Sequence, residues 1–135
     1  MDIKRETFNK SEKLCSTKII SGLFENGNIF HNSLFKVVWG TSPVILPSPA
    51  QVTFSVSKRG FRLAVTRNLL KRRMREVYRK NKRFLYDHLL SENIQIVFVI
   101  IMKGNTVADF RTIEKSINDV LRKLIMLTGK KEKIC

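Results

Sequence analysis

The sequence predicts a single α+β domain in which helices pack on a β-sheet, and three observations lead to this class. The 135 residues are 43% hydrophobic and 27% charged, as in globular domains of this length. Residues 34–39 and 52–56 are rich in β-branched and aromatic side chains, and residues 94–102 are almost uniformly apolar, which is typical of strands. The segments around them repeat apolar residues at helical spacing.

The first helix is predicted to begin after Ser16. Gly27 stands where a glycine with positive φ often ends a helix. Apolar residues recur at helical spacing and predict a short amphipathic helix: Ile19, Ile20, Leu23 and Phe24. The polar or basic ends, residues 1–13 and 128–135, are expected to be flexible. Within the first of them, Phe8 is equally well explained as a staple on the domain surface or as a ligand contact.

The strands differ in their predicted surroundings. The apolar run of residues 94–102, interrupted by Gln95, is expected to be a central strand covered on both faces. Alternation in residues 52–56 places Thr53 and Ser55 on a small polar face that is open to a ligand. All three prolines of the chain lie between residues 39 and 52, so a long hairpin connection is expected there: Pro43, Pro47 and Pro49.

A basic helix carries most of the charge. Residues 56–83 hold twelve Lys and Arg against one Glu, a net charge of +11 within the +15 of the whole chain. Charges this dense repel one another unless a polyanion offsets them, so nucleic acid is the first hypothesis. A helix over about residues 62–80 would pack an apolar stripe on the sheet: Leu63, Leu70, Met74, Val77 and Tyr78. Its outward side would present Asn68, Arg72, Arg75 and Arg79, with Lys71 at the edge.

Two further helices are predicted. Residues 83–90 form a short helix, and a final helix from about residue 108 has a clear core-facing stripe, which consists of Ile113, Ile117, Leu121, Leu124 and Ile125. We find no repeat and no boundary of a second domain, so residues 1–135 are expected to be one unit.

The sequence offers few groups for catalysis or metal binding. No spacing brings His31 and His88 together, no acids stand at a spacing that holds Mg²⁺, and no glycine-rich phosphate loop is present. Cys15 and Cys135 belong to no metal-binding pattern. We therefore expect a binding protein without catalytic residues, bound metal or small-molecule substrate.

The location expected from the sequence is the cytoplasm. The first residues lack the apolar core of a secretory signal, and the longest apolar run is far shorter than the roughly 20 residues that span a bilayer. Only two cysteines are present, as in many proteins of reducing compartments. No membrane partner is expected.

The basic helix carries a family resemblance. The string AVTRNLLKRRMR at residues 64–75, preceded by VSK at residues 56–58, resembles the signature of the bacterial ribonuclease P protein component. The first helix ending in LFENG at residues 23–27 and the order of later elements match this family over residues 8–127. The resemblance implies an αβ sandwich with a central mixed sheet and a left-handed βαβ crossover, as in the second domain of ribosomal protein S5.

The resemblance also implies a function. Members of this family assist a catalytic RNA that, with Mg²⁺, removes the 5′ leader of precursor tRNA. The protein would bind the RNA subunit through Lys58, Arg59, Arg62, Arg67, Asn68, Lys71, Arg72, Arg75 and Arg79. A cleft between the first helix and the open sheet face would hold the single-stranded leader, and Ile20 and Phe24 take the positions of the family's cleft aromatics. Strand facing alone adds Lys36, Trp39 and Ser55, although a core position explains Trp39 equally well. Phe8 is a further candidate for this cleft.

Two other functions stay open at the level of sequence. A ribosomal or ribosome-assembly protein could use the same basic helix on ribosomal RNA without any nuclease role. A protein ribonuclease could be built on His31 or His88.

Overall fold

The computed structural model describes residues 8–133, with side chains described for residues 8–129. A short 3₁₀ helix, Lys10–Glu12, precedes the main elements. These are, in chain order, α1 (Thr17–Asn26), β1 (Asn28–His31), β2 (Phe35–Thr41), β3 (Ala50–Val56), α2 (Ala64–Asn81), α3 (Arg83–Glu92), β4 (Ile96–Met102) and α4 (Phe110–Lys133).

The four strands form a mixed sheet in the order β1-β2-β4-β3. The pairs β1/β2 and β2/β4 are antiparallel, and β3/β4 is parallel. Every residue of β4 except Ile101 is buried, which confirms the central strand that its apolar run predicts.

The expected hairpin between β2 and β3 is wrong, because β4 lies between these two strands. The proline-containing loop that joins them passes the start of β4, where the Gln95 side chain exchanges 2.8 Å hydrogen bonds with the backbone N–H and C=O of Leu46. This pairing explains the polar residue in the apolar run. Strand β1, which ends at His31, is not predicted from the sequence.

The two faces of the sheet are covered differently. On one, here called the closed face, helices α2, α3 and α4 bury a large apolar core. On the other, the open face, Leu14 and Leu23 pack on a smaller core with Val38, Val97 and Val99. The closed face therefore supplies most of the apolar burial that stabilises the fold.

Helix α1 begins as predicted and ends differently. The Ser16 side chain accepts a hydrogen bond from Ile19 N at 3.2 Å, which satisfies one free N–H of the first turn. Gly27 has φ −75°, so the expected positive φ is wrong. The glycine is needed for a close approach instead, because a Cβ there would lie 2.5 Å from the Leu23 carbonyl oxygen.

Helix α2 buries most of its predicted stripe. Leu70, Met74, Val77 and Tyr78 are fully buried on the closed face. Leu63 is an exception, because it precedes the helix and is 69% exposed. The predicted helix began at about residue 62, two residues before the true start at Ala64, so the projection wrongly placed Leu63 on the buried stripe.

Residues 8–13, which belong to the end expected to be flexible, pack on the domain, and residues 1–7 lie outside the described part. Leu14 N donates to Val52 O at 3.0 Å, and the buried Glu12 carboxylate pairs with Lys82 and accepts a 2.7 Å hydrogen bond from Tyr86. At the other end α4 continues past the predicted limit, and Thr128 is buried and donates to Leu124 O at 2.8 Å.

Candidate RNA-binding surfaces

The loop between β3 and α2 holds three of the predicted RNA-binding cations. Lys58, Arg59 and Arg62 are all exposed. The loop packs closely on the turn after β4, because a Cβ on Gly60 would lie 1.9 Å from the carbonyl oxygen of Gly104. This approach requires glycine and fixes where the loop cations project.

Arg67 holds this loop in place. Its guanidinium donates 2.8 Å hydrogen bonds to the carbonyl oxygens of Phe61 and Arg62. Arg73 has a similar role at the other side of the helix, where it donates to Ala108 O at 2.7 Å. Both side chains therefore connect α2 to neighbouring loops, and an alanine at Arg67 would disturb the loop as well as the surface charge.

The outward side of α2 forms what we call the basic helix surface: Asn68, Lys71, Arg72, Arg75 and Arg79. Asn68, Arg72 and Arg75 are exposed, and Lys71 and Arg79 are half-buried. Among the residues that the structure describes, Lys71, Arg72 and Arg75 lie within ion-pair distance of no carboxylate. Cations without a protein counter-charge are suited to phosphate groups.

Glu76 neutralises one end of this surface. Its carboxylate accepts two hydrogen bonds from Arg79, at 3.2 and 2.6 Å, and lies 3.9 Å from Lys80. The Arg79 hydrogen bond holds the pKa of Glu76 below its usual value, so the acid is ionised at neutral pH. Arg79 is therefore less available to an RNA phosphate than Arg72 or Arg75.

The open face presents a row of four side chains, one from each strand. The register places His31 opposite Lys36, Lys36 opposite Ile101, and Ile101 beside Ser55. Partners in such a register project to the same side of a sheet. All four are exposed or half-buried. The row thus offers cationic, apolar and hydroxyl groups to a ligand lying across the strands.

Helix α1 forms one wall beside this row. Leu23 is its buried contact with the sheet, and Ile20 packs against the same small core. Phe24, one turn after Ile20, is 49% exposed. Ile20 therefore borders the open face, and helical spacing places Phe24 on the same side of α1 with part of its ring exposed.

Trp39 does not line this cleft. Its partner in the register is Phe98, and its ring packs against the core of the closed face. Since side chains alternate along β2, Lys36 and Trp39 must lie on opposite faces. Of the two positions that the sequence allowed for Trp39, cleft or core, the structure has the core position.

Phe8 also lies outside the cleft. Its ring makes edge contacts with Phe54 and Tyr78, with centroid distances of 5.9 and 5.7 Å, beside the outer edge of β3. The staple expected as one alternative is therefore confirmed. Part of the ring still lines a surface hollow with Lys71 and Arg75 of α2.

The sequence alone did not assign His31, Ile101 or Lys13 to an RNA-binding surface. His31 and Ile101 join the open row only through the strand register, and the first of the two strands was not predicted. Lys13 reaches the surface beside α2 because residues 8–14 pack along β3. A recognised strand at residues 28–31 would have been the signal for His31.

The described residues do not assemble a catalytic centre from the two histidines. His31 lies on the open face, whereas His88 Nε2 lies 2.8 Å from Thr128 Oγ1 between α3 and α4 on the closed side. Within residues 8–133 no group of three His, Cys, Asp or Glu could hold a metal ion. No helix of the described part is long and apolar enough to cross a membrane.

The structure combines a mixed sheet that has one open face with a helix on which Lys71, Arg72 and Arg75 meet no carboxylate among the described residues. This α+β arrangement is suited to binding a polyanion such as RNA. The family model described as Ribonuclease P matches residues 8–125. The chain belongs to the ribonuclease P protein family, whose known role is tRNA 5′ processing together with an RNA subunit.

Individual relatives agree with this assignment. The ribonuclease P protein component of Porphyromonas gingivalis is 32% identical over 121 residues, which cover 90% of this chain and 86% of the relative. The solved RNase P protein of Staphylococcus aureus has a TM-score of 0.67 at 22% identity, covering 85% of this chain and 96% of its own. The Thermotoga maritima protein has a TM-score of 0.66 at 21% identity, with coverages of 83% and 96%. These two structures confirm the predicted α+β fold.

Proposed function

We propose that this chain binds two RNA partners as the protein subunit of ribonuclease P. The basic helix surface binds the RNA subunit, and the open face holds the single-stranded 5′ leader of precursor tRNA. The RNA subunit, with Mg²⁺, hydrolyses the phosphodiester bond. The observation that carries this proposal is that the two surfaces suited to RNA lie on different elements and are built from different chemistry.

The basic helix surface suits a folded RNA. Arg72 and Arg75 are exposed cations about one turn apart, so they can meet successive phosphates of a backbone that passes the helix. The exposed amide of Asn68 lies among them and can donate to and accept from bases or 2′-hydroxyls, which distinguish RNA from DNA. This combination supports positioning on one particular RNA in addition to general charge attraction.

The open face suits a single strand. Phe24 offers a ring to an unpaired base, Lys36 offers a cation to a phosphate, and Ser55 offers a hydroxyl to a sugar or base edge. Ile20 stands one turn before Phe24, so the wall provides one aromatic ring and one aliphatic side chain. We therefore propose a leader contact with a single main stacking position.

The division of labour follows from the same groups. His31 and His88 lie on opposite sides of the sheet, so they are not placed to act as general acid and base on one phosphodiester. Catalysis by the RNA subunit, with Mg²⁺ that it requires, fits a protein whose surfaces are made for binding. A cytoplasmic location is part of this proposal, since precursor tRNA is the proposed substrate.

The test is reconstitution at low Mg²⁺. The purified chain is added to a ribonuclease P RNA and precursor tRNA, and release of the 5′ leader is measured by gel electrophoresis. We expect cleavage to be faster with the protein, because its cations replace part of the screening that Mg²⁺ supplies. No stimulation would contradict the proposal.

Two control reactions address the other functions. The chain without the RNA subunit should leave precursor tRNA intact, and cleavage there would support a protein ribonuclease. Ribosomal RNA fragments added as competitors should displace the ribonuclease P RNA only at large excess. Equal competition would support a ribosomal or assembly protein instead.

A further inference from the structure

A hollow of about 220 Å³ lies between the outer edge of β3 and helix α2. Its lining combines basic, aromatic and hydroxyl side chains: Phe8, Lys13, Thr53, Lys71 and Arg75, beside Leu14, Val52 and Phe54. None of the four side chains of the open-face row lines the hollow, although Thr53 lies on the same face of β3 as Ser55.

The hollow is built by the segment of residues 8–14. Glu12 fixes this segment through its buried pair with Lys82, and it also accepts a 2.8 Å hydrogen bond from Asn9 N. Thr53 Oγ1 donates to Leu14 O, which ties the segment to β3. A buried ion pair offsets its desolvation cost only when its partners are held in one geometry. Because Glu12 and Leu14 are both held in this way, the neighbouring residues Phe8 and Lys13 form a wall with a defined position.

Three cations line the hollow, and none of the described residues that line it is an acid. Lys13 Nζ lies 5.8 Å from the centroid of the Phe8 ring, and Lys71 and Arg75 enter from successive turns of α2. The acid of the segment, Glu12, points away to Lys82 and Tyr86. Cations gathered in this way repel one another until an anion joins them.

We propose that this hollow binds a phosphodiester group of RNA. Lys13 and Lys71 contact the phosphate oxygens from the two walls, Arg75 closes the far side, and the Phe8 ring packs against the adjoining sugar or base. The proposal rests on the proposed function, because it extends the RNA contact from α2 onto the segment of residues 8–14. The phosphate could belong to the RNA subunit or to the leader.

The experiment compares Lys13→Ala with Lys10→Ala in the full chain. Both lysines are exposed and three residues apart, but Lys10 does not line the hollow. Affinity for a ribonuclease P RNA and for a single-stranded leader oligonucleotide is measured over a series of salt concentrations. For at least one RNA, Lys13→Ala should weaken binding about tenfold and lower the slope of log affinity against log salt by roughly 0.7 to 0.9, as for one lost phosphate contact. Lys10→Ala should change affinity less than twofold.

A double variant tests whether one phosphate is shared. If Lys13 and Lys71 hold the same group, the double alanine variant should lose at least threefold less affinity than the product of the two single losses. Independent losses that multiply would overturn the shared site. Urea unfolding midpoints should match that of the wild type, since Lys13 is exposed and Lys71 half-buried.

The outcomes separate the hollow from the proposed function. A loss confined to the ribonuclease P RNA identifies that RNA as the source of the phosphate, and a loss confined to the oligonucleotide identifies the leader. Equal effects of Lys10→Ala and Lys13→Ala on both RNAs would overturn the hollow even if the wild-type chain stimulates cleavage. If the wild type does not stimulate cleavage, the proposed function fails, and the difference between Lys10 and Lys13 still decides whether the hollow binds phosphate.

Discussion

The two faces of the sheet share the same strands but are covered to different extents. Along β2, alternate side chains enter the closed core or point to the open face, so that Val37 is fully buried and Lys36 is half-exposed. Three helices cover the closed face, whereas α1 covers part of the open one. On the proposed function, stability and RNA contact would be assigned to opposite sides of one strand, one residue apart.

The largest expected effect is on stability, at neighbouring residues of β4. Ile100→Ala removes three carbons from the closed core, where this side chain is fully buried, and should lower the free energy of unfolding by about 2–5 kcal/mol. Ile101→Ala, on the open face and half-buried, should cost only about 1 kcal/mol. Urea denaturation measures both. Equal losses would mean that the two faces contribute equally to the fold.

The second prediction separates the two proposed RNA surfaces. Asn68→Ala combined with Arg72→Ala should weaken binding to the ribonuclease P RNA about tenfold to a hundredfold. The Arg72 change removes a charge-assisted hydrogen bond to a phosphate, and the Asn68 change removes a hydrogen bond to a base or sugar. Affinity for an isolated leader oligonucleotide should change less than twofold. Arg67 is left unchanged because its guanidinium holds the loop before α2.

The matched control for that variant is Arg111→Ala. Arg111 is an exposed arginine in the first turn of α4, and its loss removes the same charge as the loss of Arg72. It should change affinity for either RNA less than twofold. If Arg111→Ala weakens binding as much as the double variant, net charge rather than a defined surface determines affinity.

The third prediction concerns the wall of the open face. Phe24→Ala should weaken binding to the leader oligonucleotide by about 1–3 kcal/mol, which corresponds to roughly fivefold to a hundredfold, because a stacking ring is lost. Fluorescence anisotropy with a labelled leader measures this change. Phe84→Ala is the control, since Phe84 is a 79% exposed ring on α3. Unchanged leader affinity in Phe24→Ala would remove α1 from the proposed leader site.

The sequence predicts helices and the central strand better than the pairing of strands. The stripe through Leu70, Met74 and Val77 identifies the buried side of α2, because helical periodicity is local. Strand order depends on contacts between distant residues, so the position of β4 between β2 and β3 was not predictable. The short strand at residues 28–31 has weak alternation of apolar and polar residues, so neither this strand nor the position of His31 on the open face was predicted.

In the candidate site, too, local sequence patterns predict some residues and tertiary contacts decide the others. The cations of α2 can be assigned from one segment, whereas the place of Phe8 depends on the pairing of Glu12 with Lys82, 70 residues later. Alternation alone could not choose between the faces for Trp39, because the choice requires the register of β2 with β4. Local patterns therefore identify the basic helix surface, and tertiary contacts decide which aromatic residues accompany it.

The smallest expected effect is at Trp39, and it tests the boundary between the faces. The indole N–H is buried without a hydrogen-bond partner among the described residues, so Trp39→Phe loses no hydrogen bond and should change the free energy of unfolding by within about 1 kcal/mol. Leader affinity should be unchanged, because the ring lies on the closed face. Lys36→Ala, three residues earlier on the open face, should weaken leader binding several-fold and reduce its salt dependence by about one counterion. If Trp39→Phe weakens leader binding while Lys36→Ala does not, the assignment of the two faces is reversed at this strand.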